Sequence, residues 1–203
     1  MEPINDVGEL FAHQRAVRAF ADRDVDDALV DAVLTAATHA PSGSNTQPWR
    51  FIVVRDPAVK AQLSEAYAEA QRSQYGSGDG SGTAGAAAAG GPPPTPWTNV
   101  PVLIVACVQV PARTGRAGFQ TGASVYPAVQ NLMLRARSLG LGTVLTTLHR
   151  RNRDRIHAIL GIPDDYDSAA IIPLGWPAVV YGRNRRAPAS AVTMHDRWDP
   201  VRA

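Results

Sequence analysis

Residues 40–51 read APSGSNTQPWRF and connect two segments with different hydrophobic patterns. The segment before them, 29–37, repeats apolar side chains at helical spacing. The last residues of the stretch 40–51 begin the run Trp49–Val54, which is mainly apolar and aromatic, as is typical of a strand. The quoted stretch therefore predicts a helix-to-strand connection. Pro41 ends the helix, because the residue before a proline avoids helical backbone.

This connection is rich in side chains that suit a flat polar ligand. Ser42 and Ser44 are small enough to let a ring approach the backbone, and the amide of Asn45 matches a ring edge that mixes donors and acceptors. A plain polar turn is the alternative interpretation. The stretch is longer than a turn requires, so we interpret it as a candidate binding loop.

Predicted helices and strands alternate along the rest of the chain. Periodicity predicts helices over residues 7–20, 57–71, 122–139 and 153–160, and strands over 101–109, 140–147 and 169–174. The chain has no internal repeat and no domain linker, so this order predicts one α/β layered domain spanning residues 1–203. Helix 122–139 is apolar on more than one side, which predicts burial in the core or at an interface.

Composition excludes several classes of protein. The chain has 203 residues, 45% hydrophobic and 19% charged, with a net charge of +2, which is ordinary for a globular protein. Cys107 is the only cysteine, so no internal disulfide is expected, and its apolar surroundings predict a small buried hydrophobe. The five histidines show no metal-ligand spacing. Neither a signal peptide nor a membrane span is recognisable, so we expect a cytoplasmic protein without membrane contact.

Arginines near both ends of the chain are candidate anion ligands. Arg15 and Arg18 lie three residues apart on the predicted helix 7–20, and residues 183–186 read RNRR in the polar tail 179–203. Guanidinium groups bind phosphates through paired hydrogen bonds, although a solvated surface is the alternative for both groups. The arginines within residues 150–155 come without a nucleic-acid recognition motif, so a solvated helix face is expected there.

Two more segments are candidates for a site. Thr146 and Thr147 close the predicted strand 140–147 and can offer hydroxyls and amides to a ligand, or simply end the strand. Residues 73–98 are rich in Gly, Ala and Ser, which predicts a mobile loop. The serines of the binding loop lack the G-x-S-x-G context of a hydrolase nucleophile. The glycines of 73–98 lack the strand and helix that flank a dinucleotide-binding loop.

Together these motifs resemble the FMN-dependent nitroreductase family. The similarity runs from Arg15 to Trp198, in family order, through R-x-x-R at 15–18, APSGSNTQPWRF, YPAVQNLMLRARSLGLGTVLTTLH at 126–149, LGIP, LGWP and a tail ending in HDRW. The resemblance implies a layered fold with a mainly antiparallel central sheet, flanking helices and a C-terminal arm exchanged in a homodimer. It also implies FMN as cofactor, NAD(P)H as electron donor, and ping-pong reduction of nitroaromatics, quinones or similar flat acceptors.

By the same resemblance, several parts of the chain would hold FMN. Arg15 and the backbone at Ala16 would bind the phosphate, and Arg18 would reach the ribityl side or the N1 and O2 edge of the ring. Arg186 would close on the phosphate, with Arg185 as its substitute. The residues expected along the ribityl chain and the ring are Pro41, Ser42, Ser44, Asn45, Leu145, Thr146 and Thr147, with Thr147 near N5. No side chain is expected to act as a catalytic acid, base or nucleophile, because the flavin carries the chemistry.

The sequence departs from the family pattern at two places. Relatives often begin with Arg-Arg-Ser-x-Arg, and here Gln14 and Ala16 replace an arginine and the serine, which predicts weaker phosphate binding. Residues 73–98 lie where relatives carry a helical lid, so we expect them to gate the substrate. Trp97 is expected to stack on the acceptor, or else to anchor the loop as a hydrophobic plug. On the gating interpretation Trp97→Ala changes acceptor kinetics but not the thermal midpoint.

Two alternative functions remain compatible with these residues. Relatives of the same fold use the flavin for dehalogenation, for flavin destruction, or for oxidation of peptides and azolines. A flavin carrier without enzymatic activity is the second alternative.

Overall fold

A sheet of antiparallel strands forms the centre of the protein. In the computed structural model, which describes residues 1–75, 95–110 and 118–198, the strands are β1 (Trp49–Val54), β2 (Val102–Gln109), β3 (Gly142–Thr143) and β4 (Tyr166–Gly175). Their order across the sheet is β1–β2–β4–β3, and each neighbouring pair is antiparallel. The predicted antiparallel central sheet is confirmed.

Strand β2 occupies the interior of the sheet because both of its faces are apolar. Ile104 and Ala106 enter a hydrophobic cluster on what we call the first face, and Leu103, Val105 and Cys107 enter a second cluster on the opposite, second face. A strand buried on both faces reads as a continuous hydrophobic run. The predicted burial of Cys107 is confirmed, and this burial raises the pKa of its thiol to about 12.

Helices cover both faces of the sheet. In the described residues they are α1 (Val7–His13), α2 (Asp27–Thr38), α3 (Pro57–Tyr75), α4 (Phe119–Ser138) and α5 (Arg153–Leu160). Helices α2 and α4 pack together on the first face through side chains such as Val33 and Val129. Helices α3 and α5 cover the second face through Leu63 and Ile156. Nine of the twenty residues of α4 are buried within one chain, and Phe119 at its start is 96% exposed.

The predicted helix 7–20 is wrong beyond His13. Gln14 leaves helical backbone at φ −71° and ψ 120°, and the residues that follow run alongside strand β3. The amide of Val17 donates to the carbonyl of Thr143 at 2.9 Å, and the side chain of Val17 is buried. Gly142 permits this approach, because a Cβ there would lie 2.7 Å from Val17. Long-range pairing and burial therefore outweigh the local helical pattern.

The remaining segments differ in how far they were predicted. The strand expected over 140–147 is reduced to Gly142–Thr143, with one further bridge between Thr146 and Ile171. Of the low-complexity segment 73–98, residues 73–75 belong to α3, and 76–94 lie outside the described residues. Within the described ranges, no helix combines the length and apolarity needed to cross a membrane.

Candidate functional site

A cavity of about 470 Å³ opens on the second face, between α3 and the segment that follows β3. Its volume lies within the range of about 300–1,000 Å³ usual for small-molecule sites. It brings together Arg18, Trp97, Leu145, Thr146 and Thr147, which were assigned to one site from separate parts of the sequence. The other residues that line it are Phe20, Tyr67, Gln71, Gln74, Thr95, Val100, Val144, Leu148 and Pro173.

The floor of the cavity is the segment 144–148, which backbone pairing fixes to β4. The amide of Thr146 donates to the carbonyl of Ile171, and the amide of Ile171 donates to the carbonyl of Thr146, both at 3.0 Å. The hydroxyl of Thr146 also lies 3.0 Å from the phenolic oxygen of Tyr67 on α3. Thr147 follows directly and precedes the 3₁₀ turn Leu148–Asn152. The threonine pair is therefore held on rigid backbone, as precise ligand placement requires.

A buried polar cluster supports this floor from behind. His149 is fully buried, and its Nε2 lies 3.2 Å from both the carbonyl oxygen and the hydroxyl of Ser168 on β4. Burial lowers the pKa of His149 to about 4, so the ring is neutral at neutral pH. The buried carboxylate of Asp167 accepts hydrogen bonds from Arg150 at 3.1 Å and Arg153 at 2.9 Å. These two arginines, expected on a solvated face, instead bind a carboxylate of the sheet.

Helix α3 forms one wall of the cavity. Tyr67, Gln71 and Gln74 are spaced four and three residues apart, so they lie on one face of the helix. None of the three was predicted from the sequence as a site residue. Their signal is a stripe of hydrogen-bonding side chains at helical spacing immediately before the low-complexity segment.

Trp97 belongs to both the core and the cavity. Its indole stacks on the ring of Tyr67, with 4.2 Å between centroids and 24° between planes, and only 9% of the residue is exposed. This burial favours the plug interpretation of Trp97. The expectation that Trp97→Ala leaves the thermal midpoint unchanged does not fit a side chain packed in the second-face cluster.

Arg18 lies at the edge of the cavity on extended backbone. Its carbonyl accepts a hydrogen bond from the amide of Thr95 at 2.8 Å, which fixes the main chain, while the residue itself is exposed. Among the described residues lining the cavity, Arg18 is the only charged one, and its guanidinium makes no ion pair with any described carboxylate. The cavity thus presents one cation that is available to an anionic group.

Arg15 does not line the cavity. Because the backbone is extended, Arg15 and Arg18 do not share a helix face as the sequence predicted. Arg15 contacts the C-terminal segment, with Nη1 3.4 Å from the carbonyl oxygen of Gly182 and its guanidinium 5.4 Å from the centroid of Tyr181. Ala16 is exposed and bridges to Thr143 of β3.

The tail arginines also lie outside the cavity lining. Asn184 anchors the tail to α1, where its amide donates to the carbonyl of Ala12 at 2.7 Å. Arg183 binds the carboxylate of Glu9 at 2.9 Å. Arg185 and Arg186 are exposed. The tail is therefore held against α1 and Arg15 through residues 182–184, directly before these two arginines.

The loop predicted to bind a ligand is exposed and its backbone is strained. Ser44, Asn45 and Gln47 have φ of 50°, 55° and 48°, a left-handed region that non-glycine residues seldom adopt. Such strain is concentrated at functional sites. Ser42 accepts a hydrogen bond from the amide of Gln47 at 3.0 Å, and Pro41 is exposed.

Within one chain this loop is remote from the cavity. Trp49, directly after the loop, pairs with Val108, whereas Pro173 in the cavity lining pairs with Leu103. These two positions on β2 are five residues apart, which corresponds to about 16 Å along a strand. No residue of this loop is among the described residues that line the cavity of the same chain.

Comparison with known proteins identifies relatives that resemble this chain in sequence and in fold. The sequence model described as "Nitroreductase family" matches residues 12–176. A putative NADH dehydrogenase/NAD(P)H nitroreductase of Methanothermobacter thermautotrophicus is 30% identical over 85% of this chain and 78% of that protein. An iodotyrosine deiodinase of Haliscomenobacter hydrossis is 29% identical over 82% of this chain and 77% of that protein.

A solved structure extends the comparison to the fold. A crystal structure of oxidized iodotyrosine deiodinase bound to FMN and 3-iodo-L-tyrosine superposes with a TM-score of 0.76. It is 22% identical, over 94% of this chain and 99% of that one, so it supports the fold alone. The match over residues 12–176, together with the antiparallel sheet and the cavity beside it, shows that the chain belongs to the nitroreductase family.

Proposed function

We propose that the protein is an FMN-dependent oxidoreductase that passes electrons from NAD(P)H to a flat aromatic acceptor such as a nitroaromatic or a quinone. The observation that carries the proposal is the cavity itself. It combines an available cation, Arg18, with a rigid threonine pair, Thr146 and Thr147, opposite the stacked rings of Tyr67 and Trp97.

The lining of the cavity fits FMN. The segment 144–148 offers the flat ring a backbone fixed by hydrogen bonds to β4, together with two hydroxyls. Arg18 offers positive charge to the phosphate–ribityl side or to the N1 edge of the ring. Bound FMN would supply the redox chemistry, in which two electrons from the dihydronicotinamide reach the acceptor. The residues of the chain bind and orient the ligands and restrict access of water.

No acid or base is required from the chain. Arg18 and Tyr67 are the only titratable side chains among the described residues lining the cavity, and Tyr67 is held by Thr146. Because the cavity holds one flat ligand at a time beside the ring, donor and acceptor are expected to use it in turn, which gives ping-pong kinetics.

We further propose that the working form is a homodimer in which a second copy completes the site. The strained loop with Ser44 and Asn45 is exposed and far from the cavity of its own chain. The chain also exposes large apolar side chains that a partner would cover: Phe11, Phe119, Val180, Val192 and Trp198. A C-terminal arm exchanged between copies would bury the last three and bring Arg186 toward the phosphate.

Reductive dehalogenation of a halogenated phenol is the second candidate. Its support is the similarity to the iodotyrosine deiodinases over most of the chain. In that reaction two electrons and one proton replace the carbon–halogen bond by carbon–hydrogen, and the halogen leaves as halide. The flavin and the cavity would be the same.

The experiment that tests the proposal begins with the visible spectrum of the purified protein. We expect flavin absorbance, or stoichiometric uptake of added FMN. Steady-state NADH and NADPH consumption is then compared with menadione, a nitroaromatic and 3-iodotyrosine as acceptors. Turnover of the first two favours the leading function, and iodide release favours the second. A protein that binds FMN and oxidises neither dinucleotide is a flavin carrier, and the proposed activity is then wrong.

A further inference from the structure

A second cavity lies next to the one described above, here called the first cavity. The second cavity measures about 850 Å³, and its lining shares Phe20, Thr95 and Val100 with the first. Thr95 is bound to the backbone of Phe20, with its hydroxyl 2.8 Å from the amide of that residue. The two cavities are therefore neighbours that share a wall.

Lys60 in the second cavity is an unusual residue for this chain and this position. It is the only lysine in the sequence, and 8% of it is exposed. It lies in the first turn of α3, where Asp56 caps the helix, and a cation near a helix N-terminus is unfavourable. Its Nζ donates to the carbonyl of Val100 at 2.9 Å, and an ammonium group has two further donors. A nearby anion would offset the unfavourable helix position.

The remaining charges of the second cavity show where that anion can bind. Arg55 is engaged by carboxylates, with Asp24 at 3.2 Å and Asp27 at 2.8 Å. The guanidinium carbon of Arg23 lies over the indole of Trp176, 3.8 Å from its centroid, and a guanidinium held over a ring can still donate paired hydrogen bonds from its edge.

Polar groups that carry no positive charge also line the second cavity. The hydroxyl of Thr98 donates to the side-chain oxygen of Asn99 at 3.1 Å, which orients the amide nitrogen of Asn99 as a donor. Asp22 adds one carboxylate to the lining, and Asp24 is already bound to Arg55. Arg23, Lys60 and Asn99 together therefore form a set of donors suited to phosphate oxygens.

We propose that the second cavity binds the phosphate-bearing half of the nicotinamide donor while the nicotinamide ring enters the first cavity. The inference rests on the proposed function, because that function supplies a dinucleotide as the electron donor. Lys60 and Arg23 would bind the phosphates, and the wall at Thr95 would lie under the bridging ribose. These residues determine affinity for the donor and play no part in binding FMN.

Binding of ADP-ribose tests the inference without flavin chemistry. ADP-ribose carries the phosphates and adenosine of the donor but no nicotinamide, and its affinity is measured by calorimetry on the FMN-loaded protein. Lys60→Met and Arg23→Ala are each expected to weaken binding about tenfold or more, as for loss of a charged hydrogen bond. Arg72→Ala removes an exposed charge from the same helix outside both cavities and is expected to bind like the parent.

Equal affinity of the parent and both variants for ADP-ribose, or no binding at all, overturns the inference. If inorganic phosphate alone binds as tightly as ADP-ribose and shows the same dependence on Lys60, the site is a free-phosphate site and the inference is also wrong. Arg23→Ala keeps the test decisive if Lys60→Met does not fold, because Arg23 is exposed.

A kinetic comparison separates this inference from the proposed function. NADH is compared with N-benzyl-1,4-dihydronicotinamide, which lacks phosphates. The variants are expected to raise KM for NADH about tenfold while leaving KM for the phosphate-free donor and kcat unchanged. An equal rise in KM for both donors would mean that Lys60 and Arg23 support the fold and do not bind the phosphates. If neither donor reduces the flavin of the parent protein while ADP-ribose still binds, only the proposed function is wrong.

Discussion

The phenolic oxygen of Tyr67 lies 3.0 Å from the side-chain hydroxyl of Thr146, and this contact joins α3 to the floor of the cavity. Thr146 is also paired with Ile171 through two backbone hydrogen bonds, and Tyr67 is also stacked on Trp97. One hydrogen bond therefore connects the sheet, the helix and the aromatic wall. Its removal is the smallest change that tests whether the cavity depends on this connection.

Tyr67→Phe is expected to lower the free energy of unfolding by about 1 kcal/mol and to raise acceptor KM, because only the hydroxyl is lost. Tyr126→Phe is a matched control, since the hydroxyl of Tyr126 donates to the carbonyl of Ala169 at 3.2 Å outside the cavity. It should show a similar loss of stability in urea and no kinetic change. Equal kinetics in both variants would contradict a role for the Tyr67 hydroxyl in the site.

Arg18→Ala is expected to weaken FMN binding by about 1.5–3 kcal/mol, because a charged hydrogen bond or ion pair is lost. Arg186→Ala is expected to do the same if the arm of a second copy supplies that residue. Fluorescence titration of FMN measures both, with Arg72→Ala as the control for loss of an exposed arginine. Unchanged affinity in both variants means that the assignment of the cofactor site is wrong.

Stability is expected to fall on acidification because of His149. Its pKa is about 4 in the folded protein, below the ordinary value of 6.5, mainly through burial. The unfolded chain therefore binds a proton that the folded chain does not, and stability present above pH 6.5 is lost as the pH falls toward 4. Burial lowers the pKa of His157 in the same direction.

Urea unfolding at pH 7 and pH 5 measures this loss of unfolding free energy. The expected contribution of His149 is about 2 kcal/mol. His149→Gln should reduce the difference in the free energy of unfolding between pH 7 and pH 5 by that amount. His39→Gln, an exposed histidine, should not change it. The same pH dependence in His149→Gln and in the parent would rule out His149 as its source.

A shared site in a homodimer predicts complementation between defective chains. Arg18→Ala and Asn45→Ala should each impair FMN binding, yet mixed dimers contain one site with neither defect. Random mixing after joint refolding should restore about a quarter of the parent activity. Arg18→Ala mixed with Thr147→Ala should restore none, because both residues line the cavity of one chain. Absence of recovery in the first mixture, or a flavin-loaded monomer in sedimentation, would contradict the shared site.

Strands β1, β2 and β4 were predicted to within a few residues because each is a run of mainly apolar residues, whereas β3 has only two residues of the strand expected over 140–147. β2 is apolar on both faces and reads as one continuous apolar run. The segment with Arg15 and Arg18 was misassigned because its conformation depends on pairing with Thr143, more than 120 residues away, which no local pattern records.

The residue types of the candidate site were predicted better from the sequence than the positions of those residues in the fold. The unusual composition of the loop at Ser44 and Asn45 agrees with its left-handed backbone, but its distance from the cavity follows only from the register of β1 on β2. Tyr67 and Gln71 were missed because a helix with polar residues on several sides does not show which side faces a ligand.

Rapid mixing of the FMN-loaded protein with NADH or NADPH, without oxygen or acceptor, tests the central proposal most directly. The proposal predicts that visible flavin absorbance is lost in proportion to the dinucleotide oxidised, and that it returns when menadione or a nitroaromatic is added afterwards. Steady-state double-reciprocal plots should then be parallel. Flavin that stays oxidised until donor and acceptor are both present, with intersecting plots, would contradict it.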